Sequence, residues 1–177
     1  MRFQNTIFGL VSSLIIVMPI NSALSQVAQS GYSLPLDLAV EAAHTAVKEC
    51  AAKGWPVTAT VVDTSGLVKA ELKGDHSVVH TKITAYRKAY TVVSMGPIFG
   101  FDTSSAFIEL VKKYQNGAGS ALTTIPDVIA LAGGVAIKRG SETVAAIGVG
   151  GAPGGDKDEA CAAAGVAVIA ERVNASK

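Results

Sequence analysis

The stretch that decides the fold is Gly148-Val149-Gly150-Gly151-Ala152-Pro153-Gly154-Gly155-Asp156-Lys157-Asp158-Glu159-Ala160-Cys161. It reads as a strand that ends in a glycine-rich turn and hands over to a helix opening on acidic residues. Glycine permits positive φ and lets another segment approach the backbone closely. Asp156 suits an N-cap, and Asp158 and Glu159 suit the positive end of the helix dipole.

Working outward, Leu36 to Gly54 has helical apolar spacing through Leu38, Ala42, Ala46 and Ala52, with Gly54 as its stop. Val57 to Val62 is β-branched and apolar, so it predicts a buried strand. Asp63-Thr64-Ser65-Gly66 is a tight turn, and Leu67 to Leu72 returns as its hairpin partner. Val78 to Met95 predicts a second helix broken by Gly96-Pro97. Thr103 or Ser104 caps a third, running to about Tyr114. Gly117 to Thr124 reads as loop, and Val128 to Leu131 as a short strand. Val135 to Lys138 and Thr143 to Val149 form a second hairpin, and Asp156 to Val173 is the closing helix. Hairpin connections make the sheet antiparallel. The fold class is α+β: a single antiparallel sheet of about five strands with helices packed on it.

Residues 1–25 read as a secretory signal peptide. Arg2 is followed by an apolar run from Ile7 to Ile20, and Ala23-Leu24-Ser25 offers a cleavage site before Gln26. The expected organisation is signal peptide 1–25, linker 26–35 and one domain over 36–177, periplasmic or secreted, with no stable membrane anchor after cleavage. The remainder of about 150 residues suffices for one core. Fifteen Lys and Arg against fourteen Asp and Glu, with no basic tract, argue against nucleic acid as a partner. Abundant glycine and alanine with sparse charge suit a homo-oligomer. Cys50 and Cys161 either form a disulfide, if the first and last helices pack antiparallel, or remain two buried thiols.

Few side chains here can ligate or transfer protons. His76 and His80 stand four apart, which on a helix places both on one face. That pair can hold a transition metal, or one imidazole can bond haem iron; equally, the two can be polar residues of an exposed first turn. His44 sits among alanines and reads as a core or interface residue. Arg87 and Lys88 are either cations for a ligand carboxylate or members of a solvated face. Asp63 most simply bonds the amides of its own turn. No nucleophile elbow, Walker loop or dinucleotide-binding pattern is present, so nothing in the residues requires an enzyme.

Several segments together resemble the GlcG/HbpS family of haem-binding proteins, also called the haem-degrading domain family. They are Val62-Asp63-Thr64-Ser65-Gly66, His80-Thr81 with Arg87-Lys88-Ala89-Tyr90-Thr91, Ile125-Pro126-Asp127-Val128, Ala132-Gly133-Gly134-Val135, and Ala146 through Asp156. The likeness spans about Leu36 to Glu171. Ala136 and Gly150 stand where the family commonly has proline and serine, and His76 is an addition ahead of the central helix. The resemblance implies a compact α+β fold, an oligomer, and a haem or iron pocket near the central helix. The expected site has His80 as axial ligand and His76 as a second ligand or pocket-mouth residue, either also serving a metal. Arg87 and Lys88 would meet the propionates, and Asp63, Gly150 and Gly151 would complete the set. The expected function is exported, non-catalytic haem binding. The rival expectations are an enzyme or accessory subunit acting on a small organic molecule in the same pocket, and a structural oligomer holding free metal through His76 and His80.

Overall fold

The computed structural model describes residues 30–114 and 116–175. The expected signal peptide and residues 26–29 of the linker lie outside the described residues. The elements are α1 (Leu36–Ala51), β1 (Thr58–Asp63), β2 (Val68–Lys73), α2 (His80–Phe99), α3 (Ser104–Lys113), α4 (Ala118–Leu122), β3 (Gly134–Arg139), β4 (Glu142–Gly150) and α5 (Gly155–Ala175). Among these residues no helix is long and apolar enough to cross a membrane.

The sheet is antiparallel in the order β2-β1-β4-β3, so the two hairpins meet through their inner strands. Among the described residues it has four strands rather than five. Val128 to Leu131 is not a strand, because side chains of α2 take up its backbone groups. Arg87 donates to the Val128 carbonyl at 2.7 Å, and the Ile129 amide donates to Thr91 Oγ1 at 2.8 Å. Gly117 to Thr124 holds the short helix α4 rather than open loop.

Side chains alternate across the strands. Ala59, Val61, Ala145, Ile147 and Val149 face a core shared with α1 and α5. Val62, Ala136 and Ala146 face α2 with Ala89, Val92 and Val93. The result is three layers, α1 and α5 on one face of the sheet and α2 on the other. α1 and α5 run antiparallel. Cys50 and Cys161 join them as a disulfide near one end, and Arg172 pairs with Glu41 at 2.6 Å near the other. Between these ties Gly165 lies against the Ala42 carbonyl, where a Cβ would overlap it.

The expected break at Gly96-Pro97 does not occur. α2 continues to Phe99 and ends at Gly100, whose φ of 72° is left-handed and whose amide donates to the Gly96 carbonyl at 2.8 Å. Pro97 lies in the last turn, where losing one amide donor interrupts little. Gly96 serves packing: a Cβ there would stand 2.5 Å from the Phe101 carbonyl oxygen.

Candidate functional site

The glycines of β4 face α2. A Cβ on Gly148 would overlap the Ala85 carbonyl, and one on Gly134 of β3 would overlap the Lys88 carbonyl. At Gly150 it would stand 2.5 Å from Thr84 Oγ1. The helix therefore rests directly on the sheet backbone, and these positions exclude any larger residue. Gly151 follows with φ 128° and turns the chain toward α5.

That junction and α2 enclose a cleft of about 220 Å³ lined by His80, Thr84, Lys88, Leu131, Ala132, Gly151, Ala152, Gly155 and Asp158. His80, Thr84 and Lys88 recur every fourth residue and so form one stripe along α2. His80, the first residue of α2, is exposed at the mouth, and its imidazole makes no hydrogen bond among the described residues. Val79 and Ile83, beside it in sequence and at helical spacing, are 87% and 61% exposed, and Leu131 on the lining is 47% exposed.

Lys88 closes the inner end. Its side chain is 4% exposed; its ammonium donates to Asp158 Oδ2 at 2.6 Å and to the Val149 carbonyl at 2.9 Å. An ammonium has three protons to donate, so one has no partner among the described residues. Asp158 also accepts from the Ala152 amide at 2.9 Å, which fixes the turn between β4 and α5. Burial pushes the Asp158 carboxyl above the usual carboxylate range, and the Lys88 ammonium pulls the other way. Behind the cleft, Thr58, Ser77 and Thr81 form a buried hydroxyl cluster with oxygens 2.7–3.1 Å apart that pins the start of α2 to β1.

The structure gathers only part of the expected site. His80, Lys88 and Gly151 line the cleft, and Gly150 sits beside it under Thr84. His76 does not share a helix face with His80. It precedes α2 at φ 62° and is exposed, while its neighbour Ser77 turns inward. Arg87 points elsewhere, toward the Val128 carbonyl, and its buried Nε has no hydrogen-bond partner among the described residues. Asp63 lies at the far end of β1: Thr58 pairs with Gly150, but Asp63 pairs with Ala145. Five strand steps separate those ends by about 17 Å. Asp63 Oδ1 accepts the amides of Ser65 and Leu67, so its role in its own turn is the simple one. Among the described residues no three His, Cys, Asp or Glu side chains cluster to hold a metal ion.

Sequence reasoning missed Asp158 as the partner of Lys88, and Thr84, Leu131 and Ala132 as lining. One signal was present. Thr81, Ala85, Lys88 and Val92 share a helical face, so a lysine on the buried stripe of α2 required a counterion.

Fold and cleft together define a three-layer α+β domain with an imidazole at the mouth of a largely apolar cleft. The chain belongs to the HbpS-like family of haem-degrading proteins, which matches residues 34–167. It is similar to the crystal structure of HbpS, with 35% identity and a TM-score of 0.71 over 81% of this chain and 94% of that one. A double mutant of HbpS from Streptomyces reticuli gives 34% identity and a TM-score of 0.71 over 86% and 97%. A PduOC–haem complex shares the fold at 21% identity, with a TM-score of 0.67 over 78% and 96%. No match is found among the curated proteins.

Proposed function

We propose that this protein is an exported haem-binding protein without catalytic activity, in which His80 bonds the haem iron. One observation carries the reading: an exposed imidazole with no partner among the described residues, at the mouth of a cleft walled by Leu131, Ala132 and Ala152. A neutral imidazole is a good axial ligand, and apolar walls suit a porphyrin. Family membership and the haem complex of a protein of the same fold support it. Bound haem supplies the iron chemistry. The chain's part is to present the His80 nitrogen, shield one edge of the ring, and offer the spare N–H of Lys88 to an anionic group. Arg87 is engaged elsewhere and takes no part. The cleft is smaller than the usual ligand pocket of about 300–1,000 Å³, so it would hold only part of a haem, through His80 and the spare N–H of Lys88. Export is inferred from the pattern of residues 1–25. Self-association is inferred from the exposed Val79, Ile83 and Leu131, which a second copy would cover together with the haem.

The small cleft volume also favours a second reading, an enzyme or accessory subunit in which a small organic anion sits on Lys88. A haemin titration followed by absorbance separates the two. Saturable Soret change with defined stoichiometry, lost in His80→Ala and kept in His76→Ala, is the expected result. A weak, unsaturable change shared by all three proteins would reject haem binding and leave the small anion.

A further inference from the structure

A second and larger cavity, of about 420 Å³, lies between α1 and the ends of β1 and β2, on the α1 side of the sheet. Val47, Trp55, Val57 and Leu72 give it an apolar lining, and His44, Lys48, Lys73 and Asp75 stand around it. We propose that it binds a small monocarboxylate with an apolar body, such as a medium-chain fatty acid or an arylalkyl acid.

Volume, lining and charge each point to that class. The volume falls within the usual range for small-molecule sites, which combine apolar walls with a few polar groups. Two main-chain amides of the lining are already satisfied: Gly74 donates to the Val57 carbonyl and Trp55 to the Cys50 carbonyl, at 2.9 and 3.0 Å. The charged lining residues Lys48, Lys73 and Asp75 are exposed, whereas Val57 is buried and Val47, Trp55 and Leu72 are half-buried, so a guest meets apolar surface beneath exposed charge. Lys48 and Lys73 have no ion-pair partner among the described residues, and of the lining residues only Asp75 is acidic. The Trp55 ring is flanked by two further cations, Lys53 Nζ at 5.5 Å and Lys157 Nζ at 5.4 Å from its centroid. In a chain of formal net charge +1, this is a local excess of positive charge around an apolar hollow. That combination selects an anionic head on an apolar body. His44, read from the sequence as a core or interface residue, is exposed on the rim.

Trp55 is the single tryptophan of the chain and lines the cavity, so its emission reports occupancy. Purified protein is titrated with octanoate and, separately, with octan-1-ol. The expected result is a saturable change with octanoate, retained in His80→Ala and weakened as ionic strength rises. Octan-1-ol binds more weakly. The Lys48→Gln/Lys73→Gln double variant weakens octanoate binding about 3–10-fold, and Asp75→Asn tightens it about twofold. These positions are exposed, so the fold is retained and its circular dichroism spectrum serves as the control. Equal binding of acid and alcohol, indifference to the lysine substitutions, or no saturable change would overturn the proposal. So would a Trp55 signal that follows protein concentration instead of octanoate, which would make the hollow a contact between copies.

Discussion

Lys88 and Asp158 form an ion pair of 2.6 Å between helices on opposite faces of the sheet, each side chain 4% exposed. The pair passes the end of β4 at the Val149 carbonyl. It thereby ties the outer layers together at the edge of the cleft. Removing one partner from a buried pair leaves an uncompensated charge, whereas removing both does not.

Lys88→Met is therefore expected to cost about 3–5 kcal/mol at neutral pH. Adding Asp158→Asn should recover much of that loss. Denaturant unfolding of the wild type, both single variants and the double variant measures the coupling; additive effects would contradict it.

The pH dependence follows from the raised Asp158 carboxyl. A carboxyl raised in the folded state binds its proton more tightly there than in the unfolded chain. Its contribution is fully present below the unfolded value of about 3.9 and is lost as pH rises through the folded one. Without Lys88 the carboxyl rises further. The penalty of Lys88→Met should thus shrink toward pH 4 and grow above it, and it should lose this slope when Asp158→Asn is added. Unfolding curves at a series of pH values test the sign.

Gly148→Ala adds one methyl where the Ala85 carbonyl already lies. α2 and β4 must separate, at an expected cost of about 1–3 kcal/mol or more. Gly165→Ala should do the same between α5 and α1, where Ala42 is the obstacle. Thermal unfolding with circular dichroism gives both values.

The Cys50–Cys161 disulfide closes a separation of 111 residues and is wholly buried. Replacing both cysteines by alanine is expected to lower stability by about 2–5 kcal/mol. A reductant should act on the wild type only as fast as α1 and α5 part, so labelling of freed thiols should track unfolding.

Arg87→Gln removes the bond to the Val128 carbonyl and should cost about 1.5–3 kcal/mol. It should leave a haemin titration unchanged, because Arg87 does not line the cleft. A weakened titration would bring Arg87 back as a ligand contact.

Most of this fold is written in local patterns. The two hairpins, α1, the Thr103 cap of α3 and the strand–turn–helix after Gly148 follow from periodicity, glycine and short polar side chains acting on their own neighbours. The antiparallel packing of α1 on α5, on which the disulfide depended, could be posed from the cysteine positions but decided only by tertiary structure. Apart from the single-turn helix α4, the misread segments are those whose outcome is non-local. Val128 to Leu131 has a strand's composition, yet Arg87 and Thr91 satisfy its backbone from another layer. Gly96 and Pro97 have a breaker's composition, yet one serves packing and the other falls in a last turn. The lining of the candidate cleft was legible at His80, Lys88 and Gly151, which lie on α2 or its glycine-rich neighbour. Asp63 misled because a turn near the site in a list of motifs is distant along a strand, and His76 because the helix begins four residues later than the shared-face spacing required.

The bare contact between α2 and β4 has a mechanical consequence. Where side chains separate two layers, a pull on one is absorbed by rotamer changes. At Gly134 and Gly148 the helix backbone meets the strand directly, so a load applied at His80 passes with little damping into the sheet, and on through Lys88 and Asp158 to α5. A ligand bonded to the imidazole would thus be fastened to a stiff frame instead of a spring.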